Sequence, residues 1–174
     1  MPALSSASRV QANLQELFEG NITSGHAYIK FQLTPEITAL LSMQQVQKSS
    51  IVKAEQITPL PSMPQSTIGM IGSGDRVFCV FDLAELLSLT SKLLAPQYYQ
   101  ILVLQTEDEN PIYVGFAVTN LQGIIRIPQE NIQPPEAIPN STIKPYISGA
   151  ISEQQSLLPI LDFDRILQAL NAGS

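Results

Sequence analysis

The chain has 174 residues, of which 44% are hydrophobic and 14% are charged, and its formal net charge is −6. This length is usual for one domain, and the hydrophobic share is large enough for a packed core rather than a disordered chain. The nine lysine and arginine residues are scattered singly, which argues against a phosphate-binding surface and so against nucleic acid or an anionic membrane as partner.

The cysteine count and the hydropathy pattern indicate where the protein works. A single cysteine excludes an intrachain disulfide and a thiolate metal cluster, and it suits a reducing compartment. No apolar run approaches the roughly 18 to 20 residues that cross a bilayer, and the first residues lack the apolar segment of a signal peptide. We therefore expect a cytoplasmic protein without direct membrane insertion.

The first predicted element lies in an N-terminal extension over residues 1–27. Four apolar residues recur with helical spacing between Val10 and Phe18, and they would form one face of a short amphipathic helix that Gly20 ends. In the favoured interpretation this helix packs on the body of the protein. In the alternative it docks on a partner.

From Tyr28 the apolar period changes to two, which is typical of half-buried strands. Many short strands at this spacing indicate a barrel or a sandwich rather than a parallel sheet. Two proline-rich loops, 58–64 and 134–139, interrupt the strands. The predicted strands are 28–33, 37–43, 46–52, 55–57, 68–71, 77–81, 99–104, 112–118, 123–127, 146–151 and 157–161, and the predicted helices are 83–89 and 163–170.

The central unit of the prediction is the stretch 68–87, which should form a strand, a turn, a buried strand and a helix. Glycine and aspartate in the cluster 72–75 tolerate the conformations of a tight hairpin. The apolar run 77–81 is typical of a strand buried on both faces. Asp82 would cap the helix, with Glu85 completing a capping box.

The same unit recurs near the C-terminus. Gly69 and Gly149, and likewise Asp82 and Asp162, lie at one constant offset of 80, and so do the apolar runs between them. A glycine, an apolar run, a capping aspartate and a helix repeated without a gap indicate an internal duplication. We expect one compact body with two related lobes.

Few residues could support catalysis. The single histidine, His26, lies before the first strand and Cys79 lies inside an apolar run, so a Cys–His dyad is disfavoured. Asp82 and Asp162 are assigned to helix capping, so we predict no metal site and no cofactor. The protein should act through its surface and not as an enzyme, with a β-barrel enzyme of unrecognised type as the competing hypothesis.

The stretch from Gly69 to Leu83 resembles the central motif of the CheW-like coupling proteins of bacterial chemotaxis. That motif has a glycine, four residues, Arg-Gly, three residues and Pro-Val-x-Asp-Leu, and this chain keeps its distance from Gly69 to Asp82. The resemblance extends over about residues 28–170 and includes an opening Tyr-x-x-Phe-x-Leu strand.

The resemblance implies a mainly β fold of two intertwined five-stranded β-barrels, with short helices and a C-terminal helix. It implies a single domain over 28–170, between the extension and a tail at 171–174. It also implies a non-enzymatic adaptor that couples the cytoplasmic tips of methyl-accepting receptors to the regulatory domain of a CheA-type histidine kinase, in chemotaxis, phototaxis or pilus motility. An adaptor that binds the kinase without a receptor is the alternative.

Departures from the family pattern fall on the implied contact surfaces. Gly74 and Asp75 replace the family's Arg-Gly, and Lys48 stands where a kinase-facing segment of Val-Gln-Glu type is acidic. We expect Arg76 to reach back along an extended strand towards position 74 and to tune receptor binding, with a solvated hairpin residue as the alternative. The candidate protein-binding residues are Val46, Lys48, Gly69, Gly74, Asp75 and Arg76.

Overall fold

The computed structural model describes residues 25–172, and the predicted helix between Val10 and Phe18 lies outside them. The described residues form ten strands and two α-helices, joined by turns and short 3-10 segments. In chain order these are β1 (His26–Thr34), β2 (Ile37–Ser42), β3 (Val46–Lys53), β4 (Thr67–Ser73), β5 (Arg76–Asp82), α1 (Leu83–Leu86), β6 (Tyr98–Gln105), β7 (Tyr113–Val118), β8 (Asn120–Ile127), β9 (Ile147–Glu153), β10 (Ser156–Leu161) and α2 (Phe163–Ala172).

Several predicted boundaries need correction. The predicted helix 83–89 is too long, because α1 ends at Leu86 and Ser88 has φ of +63°, which a right-handed helix does not contain. The predicted strand 123–127 begins earlier, at Asn120. The predicted β segment 55–57 is wrong, because Ala54–Gln56 forms a 3-10 turn in which the side chain of Gln56 accepts a hydrogen bond from the Lys53 amide at 3.1 Å. Helix α2 continues to Ala172, so it takes in the first two residues of the predicted C-terminal tail.

The strands form two five-stranded sheets of the same design. Their orders are β8-β1-β2-β10-β9 and β3-β6-β7-β5-β4. Strands at equivalent positions of the two sheets are always five strands apart in chain order, as β1 and β6 are. Each sheet has one parallel pair, β2 with β10 and β5 with β7. Both halves of the chain contribute to both sheets. The predicted fold of two intertwined five-stranded units is therefore confirmed.

Each sheet curls until strands that are not neighbours come together. In the first sheet the Lys30 ammonium on β1 lies 2.6 Å from the Glu153 carboxylate on β9, although β2 and β10 separate these strands. In the second sheet the Lys48 ammonium on β3 lies 2.5 Å from the Ser73 hydroxyl on β4, and these are the two edge strands. Twisted sheets close in this way, so each sheet surrounds a core of its own.

The apolar side chains form three clusters, one inside each curled sheet and one between the sheets. Tyr28 and Leu40 belong to the first interior, and Val80 and Ile101 belong to the second. The cluster between the sheets is the largest, and it includes residues of both sheets and of both helices. The central strands are therefore buried on both faces, which explains why their apolar runs are nearly continuous.

The shared cluster fixes the two sheets relative to each other. Phe31 of β1, Phe116 of β7 and Phe163 of α2 are completely buried in it. The rings of Phe116 and Phe163 meet edge to face, with centroids 5.9 Å apart and planes at 78°. Edge-to-face packing of this kind adds to the stabilisation from apolar burial.

The repeated glycines lie where a proline-rich loop crosses a strand. A Cβ atom at Gly69 would lie 2.3 Å from the Thr58 carbonyl oxygen, and one at Gly149 would lie 3.1 Å from the Gln133 carbonyl oxygen. In each case the next residue on the strand forms a bridge with the same loop residue. The close approach of loop backbone to strand backbone explains why the glycine recurs.

The aspartate caps are also present in both copies. Asp82 accepts a hydrogen bond from the Glu85 amide at 3.3 Å, and Asp162 accepts one from the Asp164 amide at 3.0 Å. Glu85 does not complete the predicted capping box, because the Asp82 amide donates instead to the Ser66 carbonyl at 2.8 Å. The aspartate cap at Asp82 is therefore present, but the reciprocal hydrogen bond from the Asp82 amide to the Glu85 side chain is not.

The prediction of buried apolar runs is partly wrong, because the first residue of each run is exposed. Val77 is 66% exposed, although the run 77–81 is predicted to be buried on both faces, and its counterpart Leu157 in the second copy is 38% exposed. Val77 lies at the end of β5 opposite Gly72, which has no side chain to cover it. The inward residues of the run, such as Phe78 and Val80, are buried as expected.

Candidate functional site

A cleft of about 600 Å³ lies beside the hairpin between β4 and β5, and we call it the hairpin cleft. It brings together four of the six predicted site residues, which come from β3 and from the hairpin. Side chains of β5 and β7 complete its wall. The lining residues are Gln47, Lys48, Ser73, Gly74, Asp75, Arg76, Phe78 and Tyr113.

The hairpin has a two-residue loop, Gly74-Asp75, because β4 ends at Ser73, β5 begins at Arg76, and these two residues pair. Gly74 has φ of +65°, which glycine adopts without cost, and a Cβ atom there would meet no atom within 4 Å. Glycine is therefore favoured at position 74 by the backbone conformation and not by a lack of room for a side chain. The prediction that residues 74 and 76 share one face of an extended strand is wrong, because Gly74 lies in the turn.

Arg76 packs its guanidinium group on an aromatic ring. The guanidinium carbon lies 4.0 Å from the centroid of the Tyr113 ring on β7. A cation over a ring face at this distance is attracted by the π electrons, which holds the long side chain in one place. Arg76 is thus exposed but positioned, and it matches neither the predicted reach towards position 74 nor a freely solvated residue.

Lys48 connects β3 to the hairpin through its hydrogen bond to Ser73. The sequence indicated one contact surface at residues 46–48 and a separate one at the hairpin. The structure places Lys48 and the hairpin on the same cleft. The two predicted surfaces are therefore contiguous.

Val46 and Gly69 lie away from the cleft. Val46 is only 9% exposed and packs in the cluster between the sheets. Gly69 is buried beneath the carbonyl group of Thr58. Both positions are explained by packing, so any effect of these two residues on binding would have to be indirect.

Tyr113 is a cleft residue that no pattern in the sequence indicates. It lies 37 positions from Arg76, and nothing in the local pattern connects them. The connection comes from the parallel pairing of β5 with β7, in which Cys79 is opposite Val114. A topology that predicted this pairing would have placed residue 113 beside the start of β5.

Asp82 on β5 and Tyr99 on β6 belong to the second sheet, do not line the cleft, and interact electrostatically. The buried Asp82 carboxylate accepts a hydrogen bond from the Ser91 hydroxyl as well as from the Glu85 amide. Burial, together with the negative charge of Asp82, raises the pKa of Tyr99 above its usual value of 10.0. Burial alone raises the pKa of Tyr28 in the first sheet.

The residues considered for catalysis are distributed over both sheets. His26 is exposed on β1 of the first sheet, and Cys79 is half-buried on β5 of the second. Within residues 25–172, no three His, Cys, Asp or Glu residues are grouped so that they could hold a metal ion. None of the described helices is long and apolar enough to cross a membrane.

The family of the chain is shown by its match to the CheW-like domain over residues 28–171. The chain belongs to the CheW-like family. Among solved structures, it is similar to the scaffolding protein TtCheW from Thermoanaerobacter tengcongensis, with a TM-score of 0.65 and 18% sequence identity over 80% of this chain and 90% of that one. At this identity the likeness shows the fold. A comparison with curated proteins gives no match.

Proposed function

We propose that this CheW-like protein is a non-enzymatic, cytoplasmic adaptor that couples methyl-accepting receptors to a CheA-type histidine kinase in bacterial taxis. The observation that carries the proposal is the family match, which extends across both sheets rather than over one motif. The partners would be the regulatory domain of the kinase and the cytoplasmic tip of the receptor.

The shape of the molecule suits an adaptor, which must hold two partners in a fixed relation. The shared core, which contains Phe31, Phe116 and Phe163, packs the two sheets against each other. A close-packed core is hardly compressible, so a displacement of one sheet would also displace the other. Exposed apolar side chains offer contact area outside the core. Val77 is 66% exposed and Ile112 is 59% exposed, and each is adjacent in sequence to a residue that lines the hairpin cleft, Arg76 and Tyr113 respectively.

Binding measurements test the proposal directly. The purified protein would be titrated by calorimetry against the regulatory domain of each CheA-type kinase of the same organism, and against soluble fragments of its receptor tips. We expect micromolar binding to at least one kinase domain. Failure to bind every such domain would overturn the proposal.

One observation favours a second candidate, a kinase-binding module without a receptor. The hairpin has Gly74-Asp75 in place of Arg-Gly, and the nearby Arg76 is engaged with Tyr113. In that case the kinase domain would bind and no receptor fragment would. Kinase activity in receptor-containing membranes, measured with and without the protein, separates the two functions, because only a coupling adaptor makes activity depend on the receptor.

A further inference from the structure

The hairpin cleft concentrates positive charge on a protein whose net charge is −6. Its wall carries two cations, Lys48 and Arg76, and one carboxylate, Asp75. The ion pairs with a Lys or Arg nitrogen within 4 Å of a carboxylate oxygen in the described residues involve Lys30 and Arg165. Within the described residues, neither cleft cation has such a partner within 4 Å, and the two cations and one carboxylate leave the wall with a formal charge of +1.

Neutral groups hold both cations in place. Lys48 donates to the hydroxyl group of Ser73, and Arg76 stacks on the ring of Tyr113. A guanidinium group stacked on a ring keeps its N–H edge available for a two-point contact with a carboxylate, and an ammonium group has two further donors after one bond. Side chains that are already positioned lose less conformational entropy when a ligand binds.

We propose that the hairpin cleft binds an acidic segment of a partner protein, with one carboxylate on the edge of Arg76 and another on Lys48. The inference rests on the proposed function only for the identity of that partner. Nucleic acid is a poorer match, because phosphate-backbone binding needs a row of clustered positive charges, whereas the wall of this cleft carries two cations beside one carboxylate, Asp75.

The first test needs no partner. Amide resonances of the ¹⁵N-labelled protein are followed at low salt while hexaglutamate is added, with a Gly-Ser hexapeptide as the uncharged comparison. We expect hexaglutamate to shift the amides of Lys48, Ser73, Arg76 and Tyr113, and the double variant Lys48→Gln/Arg76→Gln to lose these shifts. Absence of cleft shifts in the wild type, or equal shifts in the double variant, would overturn the inference.

The second test uses the partners. The double variant Lys48→Glu/Arg76→Glu should bind the acidic partner at least about tenfold more weakly, as expected when like charges are placed opposite each other. Lys53→Glu is the matched control, since Lys53 is exposed on the same strand but outside the cleft, and its Kd should not change. Raising NaCl from about 50 to about 500 mM should weaken the wild type more than the double variant, because salt screens charges.

The outcomes distinguish a failure of the proposed function from a failure of the acidic-segment inference. If no kinase or receptor domain binds the wild type, the proposed function fails, and the hexaglutamate titration still decides the inference. If a partner binds the wild type and the charge-reversed variant equally, the acidic-segment inference fails and the adaptor function stands. Circular dichroism spectra of all variants show whether a loss of binding reflects a loss of folding.

Discussion

Replacing Gly69 by alanine should destabilise the protein much more than the same change at Gly149, its counterpart in the duplication. A Cβ atom at Gly69 would lie 2.3 Å from the carbonyl oxygen of Thr58 and 2.8 Å from its carbonyl carbon, and both are backbone atoms. Gly69 also has φ of +155°, a conformation that L-residues rarely adopt. At Gly149 the nearest atoms are a methyl group of Ile132 at 3.0 Å and the Gln133 oxygen at 3.1 Å.

The size of the effect follows from what must move. Relieving the overlap at Gly69 requires β4 to separate from the loop, which breaks the two 2.8 Å hydrogen bonds between Thr58 and Met70. Each backbone hydrogen bond contributes about 1 kcal/mol net, and crowding a packed site costs about 1 to 3 kcal/mol. We expect Gly69→Ala to lower the free energy of unfolding by about 3 to 5 kcal/mol. Gly149→Ala needs a shift of only a few tenths of an ångström, so its loss should stay below about 1 kcal/mol.

Urea unfolding followed by circular dichroism measures both losses under the same conditions. The denaturant slope of each variant should equal that of the wild type, which shows that the change acts on stability and not on the extent of unfolding. Gly149→Ala is the matched control, because it makes the same chemical change at the equivalent position of the other sheet. Equal losses in the two variants, or a loss below about 1 kcal/mol at Gly69, would refute the steric explanation.

Three further predictions concern the core, a turn and a half-buried tyrosine. Phe116→Ala should lower the free energy of unfolding by about 3 to 5 kcal/mol in denaturant titrations, because Phe116 is completely buried in the shared core. Gln154 and Gln155 have φ of +48° and +68°, so the double change Gln154→Asn/Gln155→Gly should stabilise the protein by about 1 to 2 kcal/mol, measured in the same way. The raised pKa of Tyr99 means that its neutral form is favoured in the fold; its contribution to stability is therefore complete below pH 10 and is lost as pH rises through the folded pKa. Tyr99→Phe should unfold with a weaker pH dependence than the wild type between about pH 9 and pH 11.

Each of these predictions has an outcome that contradicts it. A loss below about 1 kcal/mol for Phe116→Ala would mean that the sheets do not depend on the shared core. An unchanged or lower stability of the Asn-Gly variant would show that the Gln154-Gln155 turn is not strained. For Tyr99→Phe, a pH dependence identical to that of the wild type would mean that the tyrosine does not titrate differently in the folded and unfolded states.

The parts of the fold that the sequence predicts well are those with a local physical cause. Alternating apolar residues predict β1 and β6 within two residues at each end, because one face of each strand must leave water. The aspartate caps at Asp82 and Asp162 follow from the unpaired amides at a helix start. The constant offset of 80 predicts two related lobes, because a duplicated sequence tends to form the same unit twice.

The parts that could not be predicted depend on which strands become neighbours. No local pattern shows that β3 pairs with β6 or that β8 pairs with β1, so the exchange of strands between the sheets had to come from the family resemblance. Val77 resembles a core residue in the sequence, but its exposure depends on Gly72 across the hairpin. Tyr113 was missed for the same reason, since its contact with Arg76 exists only after β5 and β7 pair in parallel.

The same dependence on topology changes how the candidate surfaces can work. Lys48 is 25 positions from Ser73 in the sequence, yet their side chains are hydrogen-bonded, so the segment 46–48 and the hairpin cannot be assigned to two partners independently. A segment that filled this cleft of about 600 Å³ would contact Lys48 and the hairpin together. A coupling adaptor built on this fold would have to bind its second partner on another face. Communication between the partners would then pass through the core that joins the two sheets, in which Phe31, Phe116 and Phe163 are completely buried.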